Sequence, residues 1–187
     1  MKRLTVPVIL LLALAACRQD DTAGLPSPVT MTSEALGHYC QMILTDHAGP
    51  KAQVHLVGLD NPIFFAQVRD GIAYQRMPEQ SNQIAVMYVS DMGAAQSWEE
   101  PGTDNWIPAS TALYVIGSDA VGGMGAQELV PFSDRASASD FAAEHGGRVV
   151  TLSEIADSDV LTPVETRPGT EEDYLKRLRA LSHEGQG

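Results

Sequence analysis

The hydrophobic positions of this chain form one long run at the N-terminus, followed by shorter segments separated by polar stretches. The run at residues 4–14 follows the basic pair Lys2 and Arg3, and it is too short to span a bilayer as a helix. Small residues then precede Cys17. A basic start, a short apolar core and small residues before a cleavage point are typical of a secretory signal, so the pattern predicts a signal peptide at residues 1–16.

The sequence Leu-Ala-Ala-Cys that ends at Cys17 resembles a bacterial lipobox, in which the cysteine thiol is lipidated and becomes the mature N-terminus. The alternative is an ordinary cleaved signal in which Cys17 is incidental. With lipidation, acyl chains anchor the protein on the periplasmic face of a bacterial membrane, and Cys40 is the one thiol left. Arg18 favours the outer membrane over the inner one, because it is not the aspartate that retains many lipoproteins at the inner membrane.

The shorter segments predict two similar units, each with the order strand, strand, helix, strand. In the first unit, strands are predicted at residues 40–45, 52–57 and 84–89, with a helix at residues 62–70 capped by Asp60 or Asn61. In the second, strands are predicted at residues 111–116, 128–132 and 148–152, with a helix at residues 134–144 capped by Ser133 and stopped by a Gly-Gly pair. The pairs Ala52-Gln53 and Ala126-Gln127 set an offset of 74 residues between the units.

This pattern predicts an α+β protein with two similar ββαβ-type halves, preceded by a signal peptide and a flexible tether. The boundaries are a signal peptide at 1–16, a lipidated cysteine and tether at 17–37, a first half at 38–96, a linker at 97–110, a second half at 111–155 and a polar tail at 156–187. The tether and the tail are poor in apolar residues. Residues 171–181 of the tail form a short amphipathic pattern, which is either a helix that folds back or stays frayed, or a helix that docks on a partner.

The charge of the chain limits its partners. With 24 acidic and 12 basic residues the net charge is −12, and removing Lys2 and Arg3 with the signal peptide leaves 10 basic residues and a net charge of −14. Such a surface repels nucleic acid and anionic lipid, so no nucleic-acid partner is expected and membrane attachment is assigned to the lipid anchor.

Candidate chemistry concentrates on sulfur. Cys40 and Met42 are two residues apart, so on a strand both side chains would point to the same face. A thiolate beside a thioether is a soft ligand pair, which suits Cu(I) and does not suit Mg²⁺ or Ca²⁺. Met124 lies between glycines, which present its side chain on a loop. The alternative is that Cys40 and Met42 pack in the core and that the glycines form an ordinary hairpin turn.

Three further residues are weaker candidate ligands: His38 adjoins the Cys40 segment, His47 lies in a predicted turn, and Met92 lies in a second loop. The sequence contains no nucleophile elbow, paired-carboxylate signature or zinc-finger spacing, so no enzyme activity is expected. A second metal ion is not readable from the sequence.

Five features together resemble the NosL family of nitrous oxide reductase accessory lipoproteins. They are the lipobox, CQM at residues 40–42 leading into DHAGPKA at 46–52, YVSDMG at 88–93, GMGA at 123–126 and FAAEHGGR at 141–148. The resemblance implies two ββαβ-type halves related to the fold of organomercurial lyase. It also implies a Cu(I)-binding chaperone whose metal-site sulfurs are Cys40, Met42 and Met124.

The partners implied by the resemblance are apo nitrous oxide reductase, whose catalytic Cu–sulfide cluster would receive the copper, and the membrane complex that matures it. Two other classes stay open. Organomercurial or thiol chemistry on the related fold would require more than one thiol, and the mature chain has one. A metal-free scaffolding lipoprotein would require only that Cys40 is buried.

Overall fold

The computed structural model describes residues 24–162, so the signal peptide, Cys17 and the pattern at residues 171–181 lie outside the described range. The described elements are β1 (Ala52–Leu56), β2 (Ile63–Phe65), α1 (Val68–Arg76), β3 (Ile84–Ser90), β4 (Trp106–Pro108), β5 (Leu113–Ile116), β6 (Val130–Phe132), α2 (Arg135–His145), β7 (Arg148–Thr151) and α3 (Asp157–Leu161). None of these helices is both long and apolar enough to cross a membrane.

The strands form two antiparallel sheets with the same internal arrangement. The first sheet has the order β2-β1-β3-β4 and the second has the order β6-β5-β7. In each sheet the first strand of the half is central, the second strand pairs on one side, and the strand after the helix pairs on the other side. The predicted α+β architecture with two ββαβ halves is therefore confirmed.

Both halves contribute to one hydrophobic core. Val54 on β1 and Ile72 on α1 belong to the same buried cluster as Tyr114 on β5 and Val150 on β7. Alternation along β5 sends Val115 to the opposite face, where it packs with Phe132 in a smaller cluster beneath α2. The second sheet is thus covered by the first half on one face and by α2 on the other.

The strand predicted at residues 40–45 is wrong. The chain there forms a turn followed by the 3-10 helix Leu44–Asp46, and Gln41 has a left-handed φ of 55° that an extended strand excludes. The offset of 74 fails with it, since β1 corresponds to β5, which starts 61 residues later, and the cap residues Gln67 and Asp134 are 67 residues apart.

The predicted helix at residues 62–70 is also wrong at both ends. Residues 63–65 form β2, which pairs with β1, and the helix runs instead from Val68 to Arg76. Neither Asp60 nor Asn61 caps it. The second helix is close to its prediction, although Asp134 caps it in place of Ser133, with its side chain accepting a hydrogen bond from the Ser137 N–H.

Three segments predicted as connections carry structure. Residues 24–37 of the predicted tether lie against the body, where Pro26 O accepts from the Tyr88 hydroxyl and the Val29 backbone exchanges two hydrogen bonds with the Gln53 carboxamide. The predicted linker contains β4, which pairs with β3. The predicted polar tail begins with α3, and the Arg76 guanidinium donates to Leu152 O and Ile155 O just before that helix.

Candidate metal centre

A pocket of about 320 Å³ lies at the junction between the two halves. The thiol-bearing residue Cys40 lines it from the segment before β1, and Met124 lines it from the loop before β6. The remaining lining residues are Tyr39, Phe65, Ala66, Gln67, Asp70 and Ala126. The fold therefore brings together two of the predicted sulfur residues, 84 positions apart in sequence, on one small open cavity.

The position of the Cys40 thiol depends on a glycine in the same turn. A Cβ on Gly37 would lie 2.5 Å from Cys40 Sγ, closer than real Cβ contacts allow. Gly37 O accepts from the Gln41 N–H, and the Gln41 carboxamide donates to His38 O at 2.7 Å. This turn leaves the Cys40 side chain partly buried, with the apolar cluster of Met31, Leu44 and Ala66 on one side and the pocket on the other.

Met42 does not line the pocket. Its residue surface is 43 % exposed, and its carbonyl accepts a hydrogen bond from the Gly37 N–H. The argument that Cys40 and Met42 share a face of a strand is wrong because Gln41 turns the chain between them. A ligand role for Met42 stays a prediction.

Met124 lies at the tip of a tight hairpin at residues 121–127. The Gly122 N–H donates to Ala126 O and the Gly125 N–H donates to Gly122 O. The hairpin holds Met124 in a position that is 41 % exposed, so the residue contacts both solvent and the pocket. Gly125 has a left-handed φ of 82°, which favours glycine at this turn.

His47 contacts this hairpin from the first half of the molecule. Its Nδ1 lies 3.1 Å from Gly123 O and its Nε2 is buried without a hydrogen-bond partner among residues 24–162. With Nδ1 as the donor to the carbonyl, Nε2 carries the lone pair. His47 lines a different pocket, with Met31 and Glu99 among its neighbours.

Neither of the other two weaker candidates lines the pocket, although His38 packs against two residues that do. The His38 ring is part of an aromatic cluster, with ring centroids 5.3 Å from Tyr39 and 5.6 Å from Phe65. Met92 packs in the cluster beneath α2 and lines a third pocket with Trp98 and His145. Among residues 24–162 there is no group of three or more His, Cys, Asp or Glu side chains placed to hold a metal ion.

Acidic side chains lie at and behind the pocket. Burial raises the pKa of Asp70, which lines the cavity and accepts a hydrogen bond from Gln67. Glu128 is completely buried behind the hairpin, and desolvation raises its pKa to about 8. Desolvation also lowers the pKa of the buried Lys51 to about 8, although the charge of Glu128 opposes that shift.

Sequence patterns did not identify Gln67 or Asp70 as site residues. Both lie at the start of α1, and the helix predicted at residues 62–70 placed them at its C-terminal end. A correct assignment of the helix start would have put Gln67 at the cap position, where its side chain is free to contact other segments. No local pattern connects either residue with Met124.

The fold and the pocket together define a class: small α+β proteins of two ββαβ halves with a thiol and a thioether at their junction. The profile of the NosL family matches residues 28–160, and the chain belongs to that family.

Two curated relatives cover almost the whole chain. The copper-binding lipoprotein NosL of Achromobacter cycloclastes is 54 % identical over 93 % of this chain and 92 % of its own length. The copper-binding lipoprotein NosL of Stutzerimonas stutzeri is 31 % identical over 95 % of this chain and 92 % of its own length.

A solved structure agrees with the fold. The crystal structure of the copper chaperone NosL from Shewanella denitrificans superposes with a TM-score of 0.65 at 28 % identity, covering 70 % of this chain and 96 % of that one. The names of these relatives describe binding proteins and a chaperone, and none describes an enzyme.

Proposed function

We propose that this protein is a membrane-anchored periplasmic metallochaperone that binds Cu(I) and supplies it for the catalytic Cu–sulfide cluster of nitrous oxide reductase. The observation that carries the proposal is the convergence of Cys40 and Met124 on one pocket. A thiolate and a thioether are soft donors, and soft donors select Cu(I) over the hard divalent cations. The relatives named copper-binding lipoproteins and copper chaperone support the same cargo.

The geometry suits carriage of a metal. Cys40 is partly buried on the body of the protein, whereas Met124 is 41 % exposed on a hairpin. The thiolate would hold the ion throughout, and the thioether would be the ligand that an incoming partner replaces. Transfer would then pass through a state in which Cys40 and a ligand of the acceptor share the ion.

The proposed site of action follows from the N-terminal sequence. A lipid on Cys17 would hold the body on the periplasmic face, with the outer membrane favoured by Arg18. The partners would be apo nitrous oxide reductase and the membrane complex that matures it. The net charge of −14 after removal of the signal peptide supports an assignment of membrane attachment to the lipid.

Removal of the thiol tests the binding step. In a Cys17→Ser background, where Cys40 is the one thiol, Cys40→Ala should lower Cu(I) affinity more than about a hundredfold, since changes behind a ligand already cost about 10–100-fold. Met124→Leu should lower it about tenfold, because leucine keeps the volume and removes the sulfur. Affinities would be measured by anaerobic competition with a chromogenic Cu(I) chelator.

The matched control is Met87→Leu, which removes a thioether from the buried core of the first half and should leave the affinity unchanged. If Cys40→Ala binds Cu(I) as tightly as the parent protein, the carrier function is wrong. A parent protein that itself shows no Cu(I) affinity would instead favour the metal-free scaffolding lipoprotein.

A further inference from the structure

The side chain of Gln67 connects helix α1 with the hairpin that carries Met124. Gln67 is the N-cap residue of α1, and only 3 % of its surface is exposed. Its Oε1 accepts from the Met124 N–H at 3.1 Å and from the Ala126 N–H at 3.4 Å. The two acceptor contacts lie at the tip of the hairpin and two residues beyond it, so the carboxamide holds the backbone of Met124, which lines the pocket.

The hairpin lies in close contact with this side chain. A Cβ on Gly122 would lie 2.7 Å from Gln67 Oε1 and 2.6 Å from Glu128 Oε2, so only glycine permits the approach. Both oxygens belong to buried side chains. The Gly122 backbone therefore packs directly against the Gln67 and Glu128 side chains.

The other end of the carboxamide contacts the pocket. Gln67 Nε2 donates to Asp70 Oδ2 at 3.1 Å, and Asp70 lines the same cavity as Cys40 and Met124. A carboxamide is the side-chain group that supplies an acceptor to the hairpin and a donor to a carboxylate at once. This pair of contacts orients the amide, because the two backbone N–H groups require the oxygen on their side.

We propose that Gln67 is the positioning residue of the Cu(I) site: its carboxamide holds the Met124 hairpin so that the thioether faces Cys40 across the pocket. The inference rests on the proposed function, since it concerns the same site. Gln67 itself donates no electron pair to the metal. It holds the hairpin in place before the ion arrives, so that Met124 can contribute fully to Cu(I) affinity.

Gln67→Leu removes both kinds of hydrogen bond at nearly constant volume, and it should lower Cu(I) affinity about tenfold. The matched control is Gln53→Leu. Gln53 is also buried, and its carboxamide also exchanges two hydrogen bonds with a backbone segment, but that segment is at Val29 and carries no pocket residue. The control should lose stability as Gln67→Leu does and keep the affinity of the parent.

A double-mutant cycle separates positioning from general damage. In a Met124→Leu background there is no thioether to position, so Gln67→Leu should then change Cu(I) affinity less than about twofold. Loss of affinity that persists undiminished in that background, or an equal loss in Gln53→Leu, would overturn the inference while leaving Cu(I) binding by the parent intact. A parent protein without Cu(I) affinity would instead overturn the proposed function.

A metal-free measurement tests the hairpin itself. Hydrogen exchange at the Met124 and Ala126 amides, followed by NMR, should be faster in Gln67→Leu and unchanged in the control Gln53→Leu, whose carboxamide contacts Val29 and not the hairpin. If leucine prevents folding, Gln67→Asn is the second variant, because it withdraws the carboxamide by one methylene group. It should likewise lower Cu(I) affinity and speed exchange at the two amides. Unchanged exchange at both amides in Gln67→Leu and Gln67→Asn would show that the carboxamide does not hold the hairpin.

Discussion

Glu128 is a buried carboxyl group that receives backbone N–H groups from two separate parts of the chain. Its Oε1 accepts from Arg69 and Leu129 and its Oε2 accepts from Val68. Val68 and Arg69 open helix α1, whose N-cap residue makes no side-chain cap bond of its own. A residue of the second half therefore caps a helix of the first half, which fixes the orientation of the two halves at the pocket.

The raised pKa of Glu128 has a consequence for stability. The folded state holds its proton up to about pH 8, whereas the unfolded chain releases it near the ordinary value of 4.5. Between those values the unfolded state binds fewer protons than the folded state, so the unfolding free energy falls as the pH rises. The stabilisation that the protonated Glu128 contributes is complete below pH 4.5 and is lost as the pH rises to about 8.

Glu128→Gln should therefore flatten the decline of unfolding free energy between about pH 5 and about pH 8, because glutamine does not titrate there. It should also lower stability by about 1 kcal/mol at the acidic end, since its amide nitrogen cannot accept a backbone N–H. Urea unfolding of both proteins across this range measures the slope. Equal slopes would contradict a raised pKa for Glu128. The buried Lys51 has the opposite effect on the unfolding free energy, and only above about pH 8. There the folded state has lost the Lys51 proton that the unfolded state still binds, so stability rises with pH.

At the scale of elements, the parts of the fold that were predicted correctly are those with local causes. Strands β1 and β3 follow alternating or β-branched segments, and α2 lies between a polar cap and a Gly-Gly stop. Helix α1 was misplaced because its cap comes from Glu128, about sixty residues along the chain, and no local pattern records that contact.

The candidate site divides in the same way. Cys40 and Met124 were predicted from their chemistry and their glycine-rich surroundings, and both line the pocket. The geometry of the Cys40 turn could not be predicted, because it depends on a left-handed Gln41, a conformation that few non-glycine residues adopt. Gln67 enters the site through contacts with a hairpin of the other half, which only the assembled fold shows.

The turn at residues 37–42 gives a prediction at this scale. Gly37→Ala places a methyl group 2.5 Å from Cys40 Sγ, which is too close. Gly37 does not have a left-handed φ, so the thiol should rotate away while the backbone stays. Cu(I) affinity should fall about tenfold, and the unfolding free energy should change by less than about 1 kcal/mol. Chelator competition and urea unfolding measure the two effects.

Gly24→Ala is the control, since nothing lies within 4 Å of a Cβ there, and it should change neither quantity. An unchanged Cu(I) affinity in Gly37→Ala would mean that the position of the thiol in this turn does not matter for binding.

For the whole molecule, the shared core makes the two halves one folding unit, with the pocket at their junction. The anchor, by contrast, lies in sequence well before the described fold. The membrane attachment and the metal site should accordingly behave as independent properties.

Cys17→Ser should move the protein from the membrane fraction to the soluble periplasmic fraction, because the lipid cannot be attached to serine. Cu(I) affinity should stay within about twofold of the parent, since distant sites act independently. Fractionation after a salt wash and chelator competition give the two readouts. Retention of the variant in washed membranes would contradict the lipobox assignment.

In a strain without this protein, nitrous oxide reductase should be present and should lack its Cu–sulfide cluster, while its electron-transfer copper site still fills. The parent gene should restore the cluster, and Cys40→Ala should not, although that variant should be exported and folded normally. Copper content and visible spectra of reductase purified under limiting copper measure the outcome. A fully loaded cluster in the deletion strain would favour the scaffolding role.

The hydrogen bond from the Tyr88 hydroxyl joins Pro26 to the body, nine residues after the proposed lipid anchor at Cys17. Nine peptide links join Cys17 to Pro26, and a fully extended chain covers at most about 3.5 Å per residue, or about 30 Å in total. With a lipid on Cys17, this length would be the greatest distance between the anchored cysteine and the surface of the body near Tyr88. For the proposed transfer, an acceptor of the copper would have to present its site within that distance plus the width of the body. The tether would therefore limit partners to those whose sites lie at a suitable height above the same bilayer.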